Sequence, residues 1–182
     1  MLCEEARSGA AKFNWETTIA AFSAMFETLP VPDAGALAMA YVKLYLPKFM
    51  EKNPEEDWVN ERLSTIEWVL NGGIDSKDLP GFPDYTRKFA DPLDRGFKSA
   101  IGSLWRMARF ASDPTRFAES VSEAIAVTFT LLGYEYDNWL PAEYAHLRSD
   151  EKSYMEFQAD LWCDLADKMA SLVSPSESFG LT

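Results

Sequence analysis

The stretch Asp113-Pro-Thr-Arg-Phe-Ala-Glu-Ser-Val-Ser-Glu-Ala-Ile-Ala-Val-Thr-Phe-Thr-Leu-Leu132 decides how this chain folds. Asp113 before a proline reads as a helix cap with proline at the first helical position, where its missing N–H costs nothing. After Glu123 the run is apolar nearly all round, which predicts a helix at the centre of a bundle. Asp91-Pro92 repeats the same start and predicts a neighbouring helix over about 91–111.

Working outward, the pattern is helical nearly throughout. Trp15, Ile19, Phe22 and Phe26 recur at spacings of four, three and four, one face of a helix over 14–28. Pro30 and Pro32 end it. Asp33 reads as the cap of a helix carrying Leu37, Tyr41, Leu44 and Tyr45, which Pro47 should kink or end. Asn53, Pro54 and Glu56 read as a capping box for a helix with Val59, Leu63, Ile66 and Leu70 as its stripe. Asn71-Gly72-Gly73 stops it. Residues 72–90 form one long loop, a length often tied to function. A short helix is expected from Pro141 to Leu147. Ser149 reads as the cap of the last helix, which runs to about Val173. No period-two strand appears. The expectation is an all-α single domain over 1–182, a bundle or array of about six main helices, with 1–12 and 174–182 as flexible termini.

At 182 residues, 47% hydrophobic and 14% aromatic, the chain can bury a core without staples. Cys3 and Cys163 are too few for a disulfide scaffold and read as two free thiols in a reducing compartment. The start Met1-Leu-Cys-Glu-Glu lacks the basic and apolar regions of a secretory signal. The most apolar run, Ala124 to Gly133, is about half of the ~20 residues a membrane helix needs. A soluble, cytoplasmic protein is therefore expected. The net charge of −12 and pI near 4.5 disfavour direct binding to nucleic acid or to an anionic membrane.

That charge is segregated. Residues 119–182 carry twelve acids against three bases, while 71–118 are slightly basic. In the last helix Glu156, Asp160, Asp164 and Asp167 share a face roughly 80° wide. Arg95, Lys98, Arg106 and Arg109 do the same in the helix from 91, with Gly102 leaving that face uncovered. The two stripes read as solvated faces, as internal partners of each other, or with the acidic one kept for a basic partner. Tyr134, Glu135, Tyr136, Asp137 and Trp139 interleave aromatics with acids, which suits protein recognition. Burial of Trp139 is the simpler reading of that residue.

Catalytic constellations are sparse. His146 is the one histidine, and a single Glu143-x-x-His146 falls short of the two pairs a carboxylate di-metal bundle needs. No nucleophile motif or phosphate-binding loop is present. The leading expectation is a non-enzymatic acidic binding protein of immunity, antitoxin or inhibitor type. It covers a basic surface on a protein partner, such as a toxin or nuclease, and needs no cofactor. Its contact residues are Tyr134, Glu135, Tyr136, Asp137, Trp139, Glu156, Asp160, Asp164 and Asp167. One alternative is a Mg²⁺-dependent all-α phosphohydrolase with Glu119, Glu123, Asp160 and Asp164 converging on the metal. Another is a helical regulatory domain holding a small molecule among its aromatics.

Overall fold

The computed structural model describes residues 1–82 and 89–173, and these are helical with no strand among them. The six expected main helices are present as α2 (Glu16–Phe26), α3 (Val31–Lys43), α5 (Trp58–Leu70), α6 (Pro92–Arg109), α7 (Pro114–Glu135) and α8 (Tyr154–Val173). Two more stand beside them, α1 (Leu2–Lys12) and α4 (Leu46–Lys52). Short 3-10 segments cover Ser76–Asp78 and Ala142–Leu147.

α7 is the centre, packed against α2, α3, α6 and α8. Its side chains explain this. Val121, Ala124, Ile125, Thr128, Phe129 and Leu132 are all buried. Phe129 meets Tyr41 of α3 and Trp162 of α8 edge-on, at 5.2 and 4.9 Å between ring centres. Asp91 and Asp113 cap α6 and α7 as their sequences predict, accepting from the backbone N–H of Leu93 and Arg116. The short link between these helices makes them an antiparallel hairpin. Gly96 lets it close tightly, since a Cβ there would fall 2.8 Å from Leu131.

Three helix starts differ from their expected places. Asp33 does not cap α3, which already begins at Val31 after Pro30 and carries Asp33 within its first turn. Asn53 does not open α5: its side chain donates to the carbonyl of Phe49 and closes α4 instead. Glu56 is not a capping-box acid either, and accepts from the indole N–H of Trp58 at 2.5 Å. At the other end, Ser153 rather than Ser149 caps α8. Glu156 accepts from the Ser153 N–H at 2.8 Å, and the Ser153 hydroxyl accepts from the Glu156 N–H at 3.3 Å. Ser153-x-x-Glu156 is a capping box that the acidic-stripe reading had obscured.

Residues 1–12, expected as a frayed end, form α1, and α1 lies along α8. Cys3 is bonded to Cys163, with Cα atoms 4.6 Å apart, so the two are not free thiols. Arg7 reaches Asp160, and Ala10 packs with Met155 and Ala159. The descending order of these partners makes the pair antiparallel. A cross-link over 160 residues leaves no local sequence signal. α1 ends on Phe13, whose backbone is left-handed at φ 53°. Glycine is the usual residue there, and an aromatic costs about 1–2 kcal/mol.

The expected loop over 72–90 is pinned where it is described. The indole N–H of Trp105 donates to the carbonyl of Pro80, and Phe82 covers Gly102, the position expected to stay open. Residues 83–88 and 174–182 lie outside the described residues. No helix among those described is long and apolar enough to cross a membrane.

Candidate functional site

The acidic face of α8 borders a groove of about 480 Å³ between that helix and the segment 142–147. Glu143, Asp160, Asp164 and Asp167 line it, together with Lys152 and Lys168. The four carboxylates have different duties. Asp164 Oδ2 accepts from the hydroxyls of Tyr41 at 2.7 Å and Tyr144 at 2.6 Å, and pairs with Lys168 at 2.9 Å. Burial works to raise this carboxyl, but the hydrogen bonds from Tyr144, Lys168 and Tyr41 outweigh it and hold it below its ordinary range. Burial, then the bond to Asp164, pushes both tyrosine hydroxyls up, so they stay protonated donors. Asp164 therefore ties α3 and the 142–147 segment to α8.

Asp160 is occupied as well. It accepts from Arg7 of α1 and from Lys152, each at 2.5 Å. Glu156 belongs to the helix cap, and the two bonds from Ser153 lower its carboxyl. Asp167 and Glu143 remain exposed on the groove. The acidic stripe is thus largely spent inside the molecule, but not on the basic stripe of α6. Arg106 pairs with Glu123 of α7, and Arg95 donates to the carbonyls of Phe89 and Ala90. Lys98 is buried over the rings of Phe89 and Trp58.

The aromatic link divides in an unexpected way. Glu135 and Tyr136, expected on the outside, are buried. Tyr136 is a pin: its hydroxyl donates to the carbonyl of Ser149 at 3.1 Å and accepts from the Ser149 N–H at 2.9 Å. Glu135 faces Lys52 at 4.0 Å. Trp139 is half-buried against Tyr45. Tyr134 and Asp137 are exposed. Of the nine expected contact residues, Tyr134, Asp137 and Asp167 are the ones left open to solvent without a structural bond among the described residues.

The four carboxylates of the metal alternative do not converge. Asp160 and Asp164 share the groove just described, whereas Glu123 lines a different one with Trp15 and Val127. No three His, Cys, Asp or Glu side chains among the described residues are placed to hold a metal ion. His146 is exposed at the rim of the acidic groove. Sequence reasoning missed Tyr41, Tyr144 and Lys168 as partners of Asp164. Tyr41 reads as an ordinary apolar-face residue and Tyr144 carries no signal of its own, and only the packing of the fold unites them at Asp164.

Compared with known proteins, the chain matches no family model, no curated protein and no solved structure. The class that can be stated from fold and site is an all-α bundle with an acidic groove beside its last helix.

Proposed function

We propose that this is a non-enzymatic binding protein of immunity, antitoxin or inhibitor type, which covers a basic surface on a protein partner. The observation that supports it is the groove beside α8. It gathers Glu143, Asp160, Asp164 and Asp167, and its polar frame is held rigid by Tyr41 and Tyr144. A rigid acidic surface speeds encounter with a basic one and fixes its orientation. The contact surface is narrower than the sequence implied. Within the groove and the aromatic link Glu143, Asp167 and Asp137 are the open acids, while Asp160 and Asp164 shape the groove. The test is capture of partners from the native cell on immobilised protein, comparing wild type with Glu143→Gln/Asp167→Asn. A basic protein retained by wild type at low salt, released at high salt and lost from the double variant supports the reading. Capture that ignores both salt and the substitutions rejects it.

A cytoplasmic location remains part of this proposal, and the cysteine pair tests it. Disulfides persist in oxidising compartments and are reduced in the cytosol. Labelling of both Cys3 and Cys163 when unreduced protein is alkylated straight from cells would support the cytoplasm, with the bond between them forming only outside it. Protection of both from the label would place the chain in an oxidising compartment.

A further inference from the structure

Large apolar side chains are rarely exposed in groups unless something covers them. Away from the chain ends, four are well exposed among the described residues: Phe13, Trp68, Tyr134 and Tyr154. Three of these four, Phe13 at 74%, Tyr134 at 68% and Tyr154 at 47%, border one groove. It lies on the side of α8 opposite the acidic groove, where the α1–α2 turn meets the end of α7. This lobe is about 260 Å³, with Met155 in its wall. A second lobe of about 310 Å³ continues along α7, between Ile19, Val127 and Trp162, and ends at Glu123. Trp15, Thr130 and Gln158 line both. Here the segment that is apolar all round in sequence has a side that no helix covers.

Gln158 gives the groove a chemical preference. The side chain is 4% exposed, and no described residue makes a hydrogen bond to its carboxamide. Its Nε2 lies where only glycine allows it, since a Cβ at Gly133 would fall 2.2 Å away. A primary amide offers a donor and an acceptor side by side. That is the complement of a peptide group. Charge supplies the rest. Glu119, Glu123, Thr130 and Tyr134 fall within about 60° of one another on α7, and Asp137 follows in the turn that closes the helix. Glu123 closes one end of the groove, and at the other Asp137, which lines neither lobe, is exposed three residues past Tyr134. Glu123 also pairs with Arg106, but both are half exposed, and such pairs exchange partners at little cost. From Glu123 to Asp137 is about 21 Å, the span of about six extended residues.

We propose that this groove binds an extended protein segment of about six residues, with large apolar side chains at its centre and Lys or Arg at both ends. The aromatics clasp the central side chains, and the Gln158 carboxamide pairs with a main-chain peptide group. The inference rests on the reading of a basic protein partner, and names a second, separate point of contact with it.

The test uses the purified full chain and a positional-scanning library of acetylated, amidated hexapeptides. Selection of Leu, Phe, Met or Trp at the centre and Lys or Arg at the ends is expected. The selected peptide should shift the Gln158 side-chain NH₂ resonances in an NMR titration. Tyr134→Ala, an exposed change that leaves the core intact, should weaken it roughly 10- to 30-fold. Glu143→Gln/Asp167→Asn should leave peptide affinity unchanged, which separates this groove from the acidic one. Absence of selection, a preference for acidic ends, or Tyr134→Ala binding as wild type would overturn the proposal. A concentration-dependent dimer broken by Tyr134→Ala would also overturn it, by making a second copy the occupant. None of these failures would touch the salt-dependent capture through Glu143 and Asp167.

Discussion

Phe13 sits where glycine would be free of strain, and its ring is exposed rather than packed. Stability alone does not explain a left-handed aromatic in solvent. Phe13→Gly should leave the fold intact and stabilise it by up to about 1 kcal/mol, the relieved strain being partly offset by a more flexible unfolded chain. Urea denaturation measures this, and a clear loss of stability would show that the ring supports the fold. Asp164 is the opposite case, a charge held by three donors. Its carboxyl lies below its ordinary range in the folded protein. Its ionised form therefore favours folding above the unfolded value near pH 4, and that contribution is lost as pH falls through the lowered folded value. Asp164→Asn should cost about 1–3 kcal/mol at neutral pH, because the tyrosine hydroxyls and Lys168 lose a charged acceptor. The gap from wild type should narrow in acid. A gap independent of pH would mean that shape rather than charge holds Tyr41 and Tyr144.

Among the helices, those with a proline after the cap were legible in the sequence. Asp91-Pro92 and Asp113-Pro114 sit where expected, because the cap and the fixed proline φ act locally. Asn53-Pro54 carried the same signal and misled. α4 ends there first, so Asn53 serves the carbonyl end of one helix instead of the amide end of the next. The box at Ser153 was hidden because Glu156 also fitted the acidic stripe. Ser153→Ala should destabilise the protein by about 1 kcal/mol, as read in thermal or urea melts. α1 was not legible at all. It buries little beyond Ala6, Gly9 and Ala10, and besides its packing on α2, where the Thr18 hydroxyl donates to the carbonyl of Glu5, it is held by Cys163 and Asp160, far along the chain. Reduction, or Cys163→Ser, should cost about 2–4 kcal/mol. Amide exchange should quicken over 2–12 first, with the α6–α7 amides unchanged. Equal protection of α1 with and without the bond would assign its docking to packing alone.

For the molecule as a whole, composition and periodicity were enough for an all-α bundle centred on α7. The charge pattern was visible too, but not what it does. A stripe on a helical wheel does not reveal which helix lies opposite. Here α1, α3 and the 142–147 segment meet the acids of α8, while of the bases of α6 Arg106 meets Glu123 of α7, Arg95 meets backbone carbonyls and Lys98 lies over aromatic rings. Segregated charge in sequence thus became local pairing, and among the acids of the α8 groove and the aromatic link the free ones are Glu143, Asp167 and Asp137. Uncovered apolar surface went unnoticed for a related reason: the run after Glu123 announces burial, yet Thr130 and Val127 border an open groove. The most direct test of the account is the salt dependence of affinity for a captured partner, by calorimetry from low to high salt. The logarithm of the affinity should fall steadily with the logarithm of salt concentration, and less steeply for Glu143→Gln/Asp167→Asn than for wild type. An affinity that stays level across the salt range, or an unchanged slope in the double variant, would contradict it.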